Sequence, residues 1–155
     1  MNRRFFSSLA SIIVVAILIV IGISTKINSA KDDTFSTQKL NANSNAYKKI
    51  NDKVISSIKE NGVFLLQTDE ANVTYLILNG SHLNTENKIP YFSDIKIENK
   101  EDSIIIHFSE ELKPYSTDKN AENRLIYKIA KGKDYEYIKL FRNGEGTHFN
   151  TIIGG

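Results

Sequence analysis

Residues 5–25 form a run of 21 positions without a charged side chain, and residues 9–23 read LASIIVVAILIVIGI. As a helix, residues 5–23 extend about 28 Å, close to the hydrocarbon thickness of a bilayer. No face of the segment is polar, so it does not suit an amphipathic helix of a soluble core. In lipid a β-branched run adopts a helix, because any open conformation leaves backbone amides unpaired. The expectation is a single transmembrane helix within residues 1–26, serving as an uncleaved anchor. The alternative is a signal peptide whose removal leaves a secreted protein. Asn28-Ser29-Ala30 and Gly22-Ile23-Ser24 are poor cleavage sites, and the length of the run favours the anchor. Arg3 and Arg4 lie close to one boundary, against the more dispersed Lys26, Lys31 and Lys39 on the other side. That asymmetry places the N-terminus inside and residues 26–155 outside the cytoplasm, since a long downstream domain translocates largely regardless of its charge.

The overall charge of +2 misleads about the remainder. The first 26 residues hold three basic residues and no acid, so residues 27–155 carry seventeen basic and eighteen acidic residues. A near-neutral body offers no electrostatic basis for nucleic-acid binding. The chain has no cysteine, which excludes disulfides, thiolate metal sites, a cysteine nucleophile and a lipid-modified cysteine. The remaining length suffices for one domain with its own core. Asn72-Val73-Thr74 and Asn79-Gly80-Ser81 match the glycosylation pattern; in a Lys-, Asn- and Ile-rich chain of bacterial character they read as chance matches at turns.

Residues 27–45 are sparse in apolar side chains and read as a polar spacer. From residue 46 to 61, Tyr47, Ile50, Val54 and Ile58 recur at helical spacing, with Ser44 or Asn45 as cap and Asn61-Gly62 as stop. Beyond Gly62 the period becomes two. Segments 63–68 and 73–79, 92–98 and 103–109, and 125–130 and 135–142 flank short polar turns, which predicts three hairpins. The order of one helix followed by six strands predicts an α+β domain over residues 46–155. Its amphipathic helix would pack on a mostly antiparallel sheet of about six strands, a cystatin-like wrapping being one candidate arrangement.

Catalytic patterns are not found in the sequence. His82, His107 and His148 are too widely spaced for a two-histidine helical motif. The run from Asp118 to Glu122 resembles the start of a calcium loop. It fails at Asn123, where a glycine is needed, and at Ile129, where a glutamate is needed. Nucleophile-elbow and phosphate-loop signatures are missing, and Asn143-Gly144-Glu145-Gly146 reads as a turn. No cofactor or metal is expected. The aromatic set of the C-terminal half is the most unusual remaining feature. Tyr135, Tyr137 and Phe141 fall on alternate positions with Lys139, which marks them as a candidate ligand or partner surface for an extended peptide or a glycan.

One N-terminal span followed by a small cysteine-free domain is similar in architecture to extracytoplasmic proteins of Gram-positive bacteria. The similarity carries no catalytic residues. The sequence therefore points to a membrane-tethered binding or accessory domain of the cell envelope, with the membrane and an envelope protein or peptide as partners. The enzymatic alternative is a peptidyl-prolyl isomerase acting outside the cytoplasm, because twisting an X-Pro bond needs neither nucleophile nor metal.

Overall fold

The computed structural model describes residues 34–115 and 123–154. The anchor, residues 1–26, and the calcium-like run at Asp118 lie outside the described residues. Among those described, no helix is long and apolar enough to cross a membrane.

Strands β2 (Gly62–Gln67) and β3 (Val73–Asn79) read GVFLLQ and VTYLILN, and both are apolar on each side of the chain. A strand of this kind is stable only if both sheet faces are covered. The two pair antiparallel, with Leu65 opposite Leu76, and β3 pairs on with β6 (Arg124–Ala130). Two short edge strands, β1 (Ser36–Lys39) beside β6 and β9 (Thr151–Ile153) parallel to β2, complete a five-stranded sheet A of order β1-β6-β3-β2-β9.

Phe64, Leu66, Ile77 and Ile126 project from one face of sheet A. Helix α1 (Asn45–Lys53) and a single 3₁₀ turn at Ile55–Ser57 cover it, inserting Ile50 and Ile55 with Tyr47, Val54 and Ile58 at the margin. The Ser44 hydroxyl accepts from the Tyr47 amide and caps the helix, supplying one of the partners that its first turn lacks. The opposite face of sheet A presents Val63, Leu76, Leu78, Leu125 and Ile129. These pack against Phe92, Ile104, Ile106, Phe108 and Leu140 of a second, four-stranded sheet B. Sheet B has the order β4 (Lys88–Lys100), β5 (Ser103–Pro114), β7 (Tyr137–Arg142) and β8 (Glu145–Thr147).

The expected α+β fold with a single sheet of about six strands is therefore corrected. The described residues are mostly strand, 54%, in two sheets with one short helix. They form a two-sheet sandwich, with no single sheet wrapped around a helix. The first two hairpins stand as expected: β2 with β3, and β4 with β5. The third does not form. Strand β6 already has neighbours on both edges, β3 on one and β1 on the other, so segment 135–142 has no edge of β6 to join. It crosses to sheet B as β7 and pairs parallel to β5, with Ile106 opposite Leu140. The strand that takes the edge of β6 comes from the segment read as spacer, and Leu40 just after it is buried against the helix.

Two further elements follow β7. Asn143 and Gly144 both adopt positive φ, 53° and 85°, and turn the chain into β8. An Asn-Gly pair meets that requirement at little steric cost. Asn150 then fastens the tail to β2: its amide donates to Val63 O and its side-chain Oδ1 accepts from Val63 N, each at 2.8 Å. Gly62 lies against that side chain at φ 144°, where a Cβ would collide with Asn150.

Layering of this kind fixes which substitutions matter. Ile77→Ala, at the helix-covered face, should lower the unfolding free energy by about 2–5 kcal/mol. Ile105→Ala, on the uncovered face of sheet B, should lower it by less than about 1 kcal/mol. Chemical denaturation of the two variants checks the difference, and similar losses would contradict the layer order.

Candidate functional site: the open face of sheet B

Strand β5 explains the site. Its Ile104, Ile106 and Phe108 point into the sandwich, so Ile105 and His107 must point away from it. Nothing among the described elements covers that outer face as α1 covers sheet A. The strand register sets the outward side chains in rows. Lys96, His107 and Phe141 form one row, Glu98, Ile105 and Lys139 the next, and Lys100, Ser103 and Tyr137 the third.

The first row contains a ring pair. His107 and Phe141 stack with centroids 4.8 Å apart and planes 15° from parallel. Tyr137 is 49% exposed, and the Lys139 ammonium lies 5.9 Å from its ring centroid. Lys96 donates to Glu98 at 2.7 Å. That bond, with weaker contributions from the positive charge of Lys96, His107 and Lys100, holds the Glu98 carboxyl below its usual value of 4.5. The Glu98 carboxylate thus sits among several cationic groups, while a second carboxylate, Glu136, accepts from the Tyr137 hydroxyl at 2.6 Å. Lys100 and Lys139 have no ion-pair partner among the described residues.

The approach to this face is shaped by β4, the long edge strand of sheet B. A bulge between Ser93 and Lys96, with Asp94 at φ 53°, breaks its register and bends it. Lys96, Glu98 and Lys100 charge the stretch beyond the bulge, the usual protection of an edge against pairing with another chain.

Of the three aromatic residues singled out in the sequence, the structure keeps two together. Tyr137 and Phe141 share the open face. Tyr135 precedes β7 and turns the other way, meeting Phe35 edge-on at 5.9 Å beside the sandwich core. Its hydroxyl accepts from Asn99 Nδ2 at 3.0 Å. The residue that joins the pair instead is His107. His107 falls within segment 103–109, expected as a strand, but nothing local reveals Phe141 beside it, because the parallel β5–β7 pairing brings together segments 34 positions apart.

The other histidines serve elsewhere. His82 Nε2 lies 3.0 Å from Ile58 O, and its backbone is held on both sides by the Asn61 amide. His148 lines a shallow depression with Arg142, Thr147, Phe149 and Asn150. Among the described residues, no group of three or more His, Cys, Asp or Glu side chains is placed to hold a metal ion. Asn79, half of one glycosylation match, is fully buried and binds Glu60 O, Ser81 and Arg124.

Comparison with protein-family models, with characterised proteins and with solved structures finds no match to this chain.

The Glu98 environment yields a pH dependence. A carboxyl held low in the folded state stabilises the fold above its usual value, and this contribution disappears as pH falls through the lowered one. Glu98→Gln should remove that component and make the acid limb of stability against pH shallower. An unchanged acid limb in denaturation at several pH values would contradict the arrangement.

Proposed function

We propose that the protein is a binding or accessory module tethered to the outer face of a membrane, with the open face of sheet B as its contact surface. The observation that carries the reading is the inequality of the two sheets. Among the described residues, sheet A is covered on both faces, whereas sheet B is covered on one and carries stacked rings, an exposed tyrosine and two lysines without an ion-pair partner on the other. A purely structural sheet gains nothing from leaving Tyr137 half exposed on the same face as Ile105 and Phe141, while a contact surface does.

The tether follows from the apolar run at residues 5–25. Strand β1 starts at Ser36, which leaves ten residues, 26–35, between that run and the first strand. Fully extended, they reach about 35 Å. The module is thereby restricted to ligands close to the bilayer surface. The isomerase alternative is less well supported. Twisting an X-Pro bond calls for a recess that withdraws the peptide from water, and Tyr137 and Phe141 lie on an open face.

Two measurements test the reading. The full chain, expressed in a bacterium, should remain in the membrane fraction after a carbonate wash at full-length mass. A soluble form beginning near Thr25 or Lys31 would remove the anchor. Photoreactive residues placed at Ile105 or Lys139 should cross-link envelope components in intact cells, whereas the same group at Lys49 on α1 should not. Equal yields at both positions would remove the face.

A further inference from the structure

Four strands end the two sheets, and they differ in how they meet a neighbour. In sheet B, β4 is bulged and carries Lys96, Glu98 and Lys100, which keep another strand away. At the other end of that sheet, Arg142 and Glu145 close the two-residue turn and bond to each other. Strand β8 therefore turns only the backbone of Gly146 outward, at a residue with no side chain to pack. In sheet A, β1 reads STQK with each side chain exposed, so pairing there buries no apolar surface. Strand β9 reads TII. It has no charge, no proline and no bulge, and it lies between the uncharged Asn150 and Gly154. Among the described residues, nothing pairs with its outer side.

The register of β9 shows what that outer side presents. The Asn150 amide donates to Val63 O, so Asn150 directs its backbone toward β2. Backbone groups alternate sides along a strand. Ile152 therefore also faces β2, while Thr151 and Ile153 direct their N–H and C=O groups to the open edge. Side chains alternate between the two faces of the sheet. Thr151 and Ile153 lie opposite Phe64 and Leu66 on the helix-covered face, where Ile153 packs. Ile152 lies opposite Leu65 on the sandwich face, yet it is 55% exposed where Leu65 is 1% exposed. The edge thus combines outward donors and acceptors at Thr151 and Ile153 with an uncovered β-branched side chain between them.

We infer that β9 pairs antiparallel with β9 of a second copy of this chain, about a two-fold axis at Ile152. Thr151 of one copy then meets Ile153 of the other, and each such pair exchanges both of its N–H···O bonds. The two Ile152 side chains meet at the central non-bonded pair, where opposed side chains come closest. A partner for this edge has to be extended, uncharged and β-branched at its centre. The chain carries such a strand in β9 itself, and no like charges are opposed when the edge meets its own copy. Antiparallel pairing keeps like faces together, so both α1 helices lie on one side of the joined sheet A and both open faces of sheet B on the other. This inference goes beyond the binding reading and does not depend on it. Three residues a side fall well short of the roughly 1,200 Å² of a standard interface, so the dilute protein is monomeric with Ile152 open to solvent.

The test uses the full chain in detergent micelles. The chain has no cysteine, so Ile152→Cys introduces a single thiol. The Cα atoms of a central non-bonded pair lie about 4.5 Å apart, within the span of a disulfide. Oxidation with copper–phenanthroline should convert most of I152C to a disulfide-linked dimer, and should leave Thr37→Cys, on the exposed edge β1, largely monomeric. In the parent chain, broadening of the Ile152 methyl signal by a soluble paramagnetic agent should lessen as the protein is concentrated from about 20 µM to about 1 mM, while Ile105 stays equally broadened. The Thr151 and Ile153 amide signals should move over the same range. In Ile152→Lys, which opposes two ammonium groups, they should stay fixed. Ile152 is exposed, so dilute I152K should match the parent in thermal midpoint. If it does not, the I152C cross-link alone decides. An equally efficient cross-link in T37C would overturn the assignment to a second copy. So would amide signals that move in I152K as in the parent, or Ile152 broadening that is independent of concentration. Cross-linking of I152C in cells to a different protein, in place of its own copy, would give the edge to a foreign strand and overturn it likewise. None of these outcomes bears on the cross-linking at Ile105 and Lys139 that tests the open face.

Discussion

Strands β2 and β3 carry apolar side chains on both faces, and the rest of the fold is arranged so that water reaches neither. Phe64, Leu66 and Ile77 require a cover on one side, and Val63, Leu76 and Leu78 require one on the other. A helix of nine residues is marginal by itself, and α1 persists because its apolar stripe closes the first face. Sheet B closes the second. Having given one face to the sandwich, sheet B meets no further apolar layer among the described residues, and its outer face carries charged and aromatic side chains. The candidate site is therefore a consequence of where the core ends.

Polar connections between the layers follow the same logic. Asn79 ends β3 with no exposure to solvent, so both ends of its amide need partners: Nδ2 donates to Glu60 O, and Oδ1 accepts from Ser81 and Arg124. Arg124 reaches on to Asn51 of α1 at 2.8 Å, linking β6 to the covering helix. Burial pushes the Tyr47 hydroxyl above its ordinary value, opposed by the nearby positive charge of Arg124. Gly80 completes this corner, because its amide donates to Asn123 O at 2.7 Å and a Cβ there would strike the Pro90 carbonyl. The crossing from sheet A to sheet B at residues 80–87 thus depends on a glycine where two backbone segments touch.

Much of this was legible in the sequence, and the parts that were not share one cause. The change of period after Gly62 and two of the three hairpins are local patterns that survive folding, whereas the helical stripe of Tyr47, Ile50, Val54 and Ile58 survives only in part: the helix ends at Lys53, a 3₁₀ turn follows, and Ile58 is extended, well short of the expected stop at Asn61-Gly62. The continuous apolar runs of β2 and β3 also held a signal that the layer count depends on. Alternation such as Ile104, Ile106 and Phe108 marks a sheet covered once, and an unbroken run such as Phe64 to Leu66 marks one covered twice. Non-local pairing left no comparable trace. Four polar residues, Ser36–Lys39, become a strand only because β6 offers an edge, and with that edge filled, β7 must pair elsewhere. The same displacement brings Phe141 to His107 and turns Tyr135 toward Phe35. Strand alternation alone groups Tyr135 with Tyr137 and Phe141, whereas the fold turns Tyr135 toward Phe35 and sets His107 beside Phe141.

The central claim is that sheet A is sealed on both faces and sheet B on one. Isoleucines report on every layer. Ile77 and Ile126 face the helix, Ile104 and Ile106 face the sandwich, Ile105 lies on the open face, and Ile152 is exposed at the sheet edge. The most direct measurement is the broadening of isoleucine methyl signals by a soluble paramagnetic agent. The account requires Ile105 and Ile152 to broaden while Ile77, Ile126, Ile104 and Ile106 are spared. Broadening of Ile77 and Ile126 to the same degree as Ile105 would show that α1 does not cover sheet A, and sparing of Ile105 would show that the outer face of sheet B is not open.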